Sequence, residues 1–235
     1  SPCVAWSECV AQFESFDQAL EFSSKLTKAP GLIKKEISFL AAPIPTYMSP
    51  IMDLFNEQQH AVLLVVAPQS MEGVEDLVKS FDGTLCYKKT AEEVQASNRT
   101  LLEYTWNHTT LHWRAQHPDW TYLQMLLPQP EAPCLERLRQ QWGDDLLWHL
   151  EAVRKQGAAR LAALPLVRWR GEQALEQLMA DCREAGAVLF NPHVISVEDG
   201  GLGVIDADQV SAKAAYDPAG LLNPGKLRGW LNSPG

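Results

Sequence analysis

Residues Ala61 to Ala67 read A-V-L-L-V-V-A, an apolar run without a break. A run this short, rich in β-branched residues, is a strand covered on both faces. Upstream, Leu32 to Leu40 reads L-I-K-K-E-I-S-F-L and alternates. Ile33, Ile37 and Phe39 fall on one face, and Lys34, Glu36 and Ser38 on the other, the pattern of a half-buried strand. Downstream, Val74, Leu77, Val78 and Phe81 form one helical stripe across Met71 to Phe81. Asp82-Gly83 then turns into a short strand from Thr84 to Lys88.

Val4 to Phe13 adds a first strand, and Gln18 to Leu26 a helix with Phe16, Leu20 and Phe22 available to a core. A short helix is expected near 48–56. The order is strand–helix–strand, strand–helix–strand, that of a ferredoxin-like unit. It recurs after residue 118. Strands are expected at Asp119 to Leu127, Leu146 to Arg154, Ala159 to Trp169 and Ala187 to Val197. Helices are expected at Cys134 to Gln141 and Gly171 to Ala185, the latter with a stripe of Ala174, Leu175, Leu178, Met179 and Cys182. Between the halves, Ala91 to Gln116 reads as a polar helical bridge rich in aromatic and histidine residues. The expected fold is α+β: duplicated ferredoxin-like (βαββαβ) units forming one antiparallel sheet with helices on one face. The expected divisions are a first half at 1–90, the bridge at 91–118, a second half at 119–206 and a C-terminal helix and tail at 207–235.

Composition narrows the function. The 235 residues carry a net charge of −9 with no basic block, which argues against nucleic acid as a partner. No apolar run is long enough to span a bilayer. The five cysteines are scattered without a C-x-x-C pair, which points to a reducing, cytoplasmic compartment. Ser1-Pro2-Cys3 reads as a cut within a longer protein.

The most specific stretch lies at the C-terminus, K-A-A-Y-D-P-A-G-L-L-N-P-G-K-L-R-G-W from Lys213 to Trp230. Asp217-Pro218 stops the preceding helix. Gly220 permits a positive φ, Leu221 and Leu222 offer an apolar plug, and Asn223-Pro224-Gly225 turns sharply. This D-P-x-G-L-L-N-P-G-K pattern resembles the C-terminal signature of the FAD-linked oxidases related to vanillyl-alcohol oxidase, most of all the glycolate oxidase and D-lactate dehydrogenase branch. The resemblance implies a cap on a ferredoxin-like antiparallel sheet that forms the substrate side of a flavin site. It implies that the tail returns to the flavin domain, with Asn223 and Lys226 near the cofactor. No Gly-rich phosphate loop is present; Gly200-Gly201-x-Gly203 sits among acidic residues. The FAD-binding domain is therefore expected elsewhere, in the same chain or a partner subunit, and this fragment alone is expected to be inactive.

The candidate site residues follow. His193, in Phe190-Asn191-Pro192-His193, is a candidate acid/base or substrate-oxygen donor. In the resembling branch the equivalent strand carries a longer motif with two histidines and a Gly-Asp-Gly core, and here one histidine remains. Asn191 is grouped with Asn223 and Lys226 on the cofactor side. Trp106, Asn107, His108 and His112 are candidate pocket residues, and His108 and His112 share a helix face. Two histidines without the glutamate of an H-E-x-x-H motif are too few for zinc, so no metal is expected. Among Arg154, Arg168 and Arg170, Arg168 is favoured to hold a substrate carboxylate, because a guanidinium fork matches two oxygens.

The implied reaction is oxidation of a small 2-hydroxy acid of glycolate or D-lactate type, in which the cofactor takes the hydride and the cap orients the substrate. Two other functions fit the pattern: a small-molecule-sensing or regulatory ferredoxin-like module, and a non-catalytic subunit that completes a flavoenzyme.

Overall fold

A computed structural model describes residues 5–48, 55, 57–190 and 207–231. The first half runs β1 (Ser7–Phe13), α1 (Phe16–Lys28), β2 (Lys34–Leu40), β3 (His60–Val66), α2 (Met71–Ser80) and β4 (Thr84–Lys89). The bridge holds α3 (Ala91–Ala96) and α4 (Asn107–Gln116). The second half runs β5 (Trp120–Tyr122), β6 (Gln124–Leu126), α5 (Ala132–Trp142), β7 (Leu146–Leu147), β8 (His149–Lys155), β9 (Ala158–Ala163), β10 (Leu166–Arg168), α6 (Glu172–Glu184) and β11 (Val188–Phe190). After the undescribed residues come α7 (Ala207–Tyr216) and α8 (Arg228–Leu231).

The protein is α+β, built on an eight-stranded antiparallel sheet in the order β11-β6-β9-β8-β2-β3-β1-β4. The halves join where β2 pairs with β8, with Ser38 opposite Glu151, Phe39 opposite Leu150 and Leu40 opposite His149. The unbroken run 61–67 is β3, between β1 and β2, and its residues are buried on both faces. Alternate residues of each strand therefore feed two cores.

The larger core lies under the helices. Phe22 and Leu26 of α1, Val74 of α2, Leu138 of α5 and Leu178 of α6 meet Phe13, Phe39, Leu64 and Leu150 of the sheet. The stripes read from the sequence face this core because positions three and four apart share a helix face. Asp181 is buried in α6 too; its carboxylate accepts from Gln141 Nε2 at 2.8 Å and Trp142 Nε1 at 3.1 Å, tying α6 to α5.

The opposite face is also covered, which differs from the expectation of helices on one face only. Val10, Leu40 and Leu63 of the sheet pack there against Ile44, Tyr47, Leu101, Tyr104, Trp113 and Trp120. The bridge is not one helix. A capping box at Thr90 and Glu93 opens α3, a short 3-10 turn spans Leu101–Tyr104, and α4 starts after Trp106. A 3-10 turn also stands at Ile44–Met48, where a helix from 48 to 56 was expected; 49–54 and 56 lie outside the described residues.

Three expected long strands are each split in two. Leu123, Trp148 and the Leu164-Pro165 step break them, and the short pieces β5, β10 and β7 form a separate three-stranded sheet. Pro165 cannot donate to a ladder, so a break there is required. The backbone bonds of the turn persist: Leu164 N donates to His149 O at 2.8 Å, and Leu123 N to Pro165 O at 3.1 Å.

Candidate functional site

The seam between the halves carries a polar cluster on the face covered by the bridge. Glu36 and Ser38 project from β2, and His149 and Glu151 from β8. Ser38, His149 and Glu151 are buried, and Glu36 is half-buried. Ser38 Oγ donates to Glu151 Oε1 at 2.9 Å, and His149 Nε2 lies 2.6 Å from the same oxygen. Trp106, at the entrance to α4, makes two further bonds. Its backbone N–H donates to Glu151 Oε1 at 2.6 Å and its indole Nε1 to Glu36 Oε2 at 3.1 Å. The Trp106 φ of 54° is a strained value for a side chain of this size. Two carboxyls hold it there.

A buried carboxyl resists ionisation because the low-dielectric interior does not solvate its charge. Burial pushes Glu151 up to about 8. Burial first, and then the charge on Glu151, pushes Glu36 up to about 7. Burial pulls His149 down to about 3, so its ring is neutral. A neutral ring donating through Nε2 makes Oε1 of Glu151 the acceptor of three donors. Glu151 Oε2 and His149 Nδ1 are buried without a protein partner.

Beside the cluster lies a cavity of about 440 Å³ walled by Trp106, Asn107, Gln124, Arg154, Lys155 and Phe190. Gln124 Nε2 donates to Asn107 Oδ1 at 3.2 Å, which fixes both amides. Arg154 and Lys155 are exposed at the rim. Lys34 is held below its ordinary value by burial and then by the charge of Arg154, a sign of crowded cations. A larger cleft of about 670 Å³ opens on the helix side between α1 and α5. His60 on its wall is pushed down to about 4 by burial and accepts from Ala42 N at 3.0 Å. Arg139, the cation on that wall among the described residues, already lies over the Phe16 ring at 3.8 Å and against Asp17 at 3.3 Å. The smaller cavity is therefore the candidate site: it adjoins the perturbed carboxyls.

The sequence-predicted residues divide. Trp106 and Asn107 line the cavity. His108 and His112 are exposed on α4, and the His112 ring stacks on Tyr104 at 5.5 Å and Tyr47 at 5.7 Å between centroids. Among the described residues no group of three or more potential ligands could hold a metal. Arg168 sits on the small sheet, bridged to Asp145 at 3.0 Å and Asp119 at 3.4 Å, with its guanidinium over Trp120 at 4.6 Å. Of the three arginines considered, Arg154 is the one that reaches the cavity. Asn191 and His193 lie outside the described residues; β11, the strand that leads to them, ends at Phe190 on the cavity wall.

The tail folds onto itself. Asp217 accepts from Leu221 N at 2.8 Å and Leu222 N at 2.9 Å, and pairs with Lys213. Lys213, with the two amides, holds the Asp217 carboxyl below the ordinary carboxylate range. Gly220, at φ 65°, packs where a Cβ would meet the Trp230 ring nitrogen at 3.3 Å. Asn223 and Lys226 are exposed, and Leu221 and Leu222 are 77% and 64% exposed.

Glu36, Ser38, His149 and Glu151 were not among the residues singled out from sequence. The available signal was L-L-W-H-L-E-A, a histidine and a glutamate two apart in an otherwise apolar strand.

No family model matches the sequence, and no curated protein matches it. Solved structures do. An alkyldihydroxyacetonephosphate synthase matches 94% of this chain with a TM-score of 0.58 at 12% identity. The 4-ethylphenol oxidase of Gulosibacter chungangensis, in its isoeugenol complex, matches 94% with a TM-score of 0.55 at 15% identity. The fold is shared with these two proteins. Both are members of the FAD-linked oxidase family. The chain spans about half the length of either, 44% and 53%. A flavin dinucleotide needs a nest of backbone N–H groups for its pyrophosphate. Among the described residues Gly143, Gly157 and Gly171 stand singly at positive φ, and no glycine run makes such a nest. The described residues therefore offer no cradle for a flavin pyrophosphate. Among the described residues no helix is long and apolar enough to cross a membrane.

Proposed function

We propose that this chain is the substrate-binding cap of an FAD-dependent oxidoreductase acting on a 2-hydroxy acid, and that it works with an FAD-binding domain in the same chain or a partner subunit. The observation that carries the proposal is the cavity beside Trp106, on the sheet face that bears two carboxyls with raised affinity for protons. The fold shared with roughly half of two FAD-linked oxidase family members supports it, as does the D-P-x-G-L-L-N-P-G-K tail. In this reading the two halves are duplicated ferredoxin-like units, supported by the same strand order, fourth-first-third-second, in each half of the sheet.

Trp106 and Asn107 would line the substrate, with His108 and His112 on the flanking helix. Arg154 and Lys155 would attract its carboxylate, with Arg168 held by aspartates further along the same half. His193 would donate to a substrate oxygen. The exposed Leu221 and Leu222 would seat the tail against the flavin domain, bringing Asn223 and Lys226, together with Asn191, to the cofactor side. When bound, the flavin supplies the hydride acceptor; the cap binds, orients and desolvates the substrate. In this reading the assembly is cytoplasmic, a reading supported by five scattered cysteines without a C-x-x-C pair.

The test joins this chain to the FAD-binding domain encoded with it or beside it. Flavin fluorescence should change when the two associate, and a 2-hydroxy acid should bleach the flavin absorbance. No change in flavin signal on mixing, or no bleaching by any 2-hydroxy acid, would sink the reading.

A further inference from the structure

We infer that the cavity beside Trp106 takes a carboxylate with a large apolar body. The 2-hydroxy acid bound there then carries a side chain of phenyl size, in place of the hydrogen of glycolate or the methyl of lactate. The inference rests on the oxidoreductase reading above, and deepens it by naming the class of acid.

Strand register sets the floor of the cavity. Residues paired across antiparallel strands share a sheet face, as do residues two apart along one strand. Phe190 of β11 pairs with Gln124 of β6, Leu126 of β6 with Ala162 of β9, and Ala162 with Glu151 of β8. Gln124 and Leu126 are two apart, and so are Glu151, Val153 and Lys155 in turn. One face of four neighbouring strands therefore carries Phe190, Leu126, Ala162 and Val153 as a continuous apolar floor, with Lys155 at its end. Glu151 lies on the same face, so the floor runs on directly from the buried cluster.

Trp106 supplies a fixed wall. Its backbone N–H is held by Glu151 at 2.6 Å and its indole Nε1 by Glu36 at 3.1 Å. The residue is nevertheless 39% exposed, and Phe190 is only half-buried. Aromatic rings that are part of one cavity and left partly bare are surface for an apolar ligand to cover. The polar groups are few. Gln124 Nε2 donates to Asn107 Oδ1 at 3.2 Å, which leaves the Asn107 amide N–H and the Gln124 carbonyl for a substrate hydroxyl.

Charge decides which end of the ligand meets the rim. Arg168 and Arg170 are both bridged to Asp145. Arg154 and Lys155 are exposed at the rim, and among the described residues neither is in an ion pair. In a chain of net charge −9, two adjacent cations without acids attract an anion locally. The volume of about 440 Å³ falls within the roughly 300–1,000 Å³ of pockets that bury drug-sized ligands. Glycolate or lactate held at the rim would leave the floor facing water, and a phenyl side chain would cover it.

The test uses the complete protein with its flavin domain and reads binding by calorimetry, separately from flavin bleaching. Phenyllactate should bind about 10-fold or more tightly than lactate. Phenylpropanoate, which lacks the hydroxyl, should still bind more tightly than lactate, and phenylpropanol, which lacks the carboxylate, more weakly than phenylpropanoate. Ala162→Leu puts bulk on the floor and should weaken phenyllactate by about 10-fold or more while leaving lactate within about 3-fold. Lys155→Gln should weaken both acids alike, by about 2- to 5-fold, and flatten their dependence on salt. Equal affinity for lactate and phenyllactate overturns the inference. So does an Ala162→Leu variant that melts as the parent does and binds phenyllactate with parental affinity. A Lys155→Gln variant with parental affinity and salt dependence overturns the placing of the carboxylate. If phenyllactate binds as expected and no acid bleaches the flavin, the preference of the cavity stands and the oxidoreductase reading falls. If lactate bleaches the flavin and phenyllactate neither binds nor bleaches, the reading stands and the preference falls.

Discussion

Glu151 occupies a position that water would favour and the fold denies. Its pKa should be near 4.3 in the unfolded chain and rises to about 8 in the folded one. Between those values the folded chain holds a proton that the unfolded chain has released, so stability falls as pH rises through that window. Glu36, raised to about 7, adds to the same limb. His149 acts in the opposite sense. Its folded value of about 3 lies below the unfolded one, so stability falls as pH drops below about 6.5. The melting midpoint should therefore decline by about 3 °C or more between pH 6 and pH 9, given 2–4 °C per kcal/mol at this size. Glu151→Gln keeps the shape and an acceptor and should flatten most of the alkaline decline. Scanning calorimetry of both proteins at pH 6, 7.5 and 9 reads the difference, and parallel slopes would refute it. These residues were hidden in the sequence by their own alternation. K-K-E-I-S-F-L and W-H-L-E-A read as strands with one wet face, and the polar residues fell on it. Periodicity reports polarity; it does not report what a distant segment lays over the polar side.

Elements were far more legible than sites. The apolar run of β3 and the helical stripes of α1, α2 and α6 settle their own structure, because short apolar runs and i, i+4 spacing have few other solutions. Leu178, at 0% exposure in α6, should cost about 2–5 kcal/mol when cut to alanine. Leu221, at 77%, should change the stability of this chain by less than about 0.5 kcal/mol when cut in the same way. Denaturant unfolding checks both. A tail built for docking should give the reverse ranking when association with the flavin domain is measured, with Leu221→Ala the weaker binder. The tail's shape depends on Asp217, whose carboxylate gathers Leu221 N, Leu222 N and Lys213. Asp217→Ala should leave the global melting point nearly unchanged and make the segment between Tyr216 and Lys226 the first site of limited proteolysis. Cleavage at parental rates would show the knot to be dispensable. Strand breaks were less legible. Pro165 marked one of the three, but the breaks at Leu123 and Trp148 carry no proline or glycine. They come from the demands of two sheets on one chain.

At the scale of the molecule, the α+β class and the large antiparallel sheet were readable from element order alone, since strands and helices that alternate in this way have few ways to bury both faces. The second sheet and the double-sided burial were not, because both depend on the bridge, whose polar composition gave no sign that Tyr104, Trp113 and Leu101 would close a core. Trp113→Ala should accordingly cost about 3–5 kcal/mol despite its place in a polar helix, which urea unfolding at pH 6 would reveal; a loss below about 1 kcal/mol would mean that the bridge only rests on the sheet.

The join at β2 and β8 bears on how the chain can be divided. Glu36 and Ser38 belong to one half and His149 and Glu151 to the other, and they meet through three registered residue pairs. Cut between 118 and 119, neither piece owns the constellation. Each piece taken alone would leave its part of the cluster facing water, and only their pairing along this strand edge buries Ser38, His149 and Glu151 together.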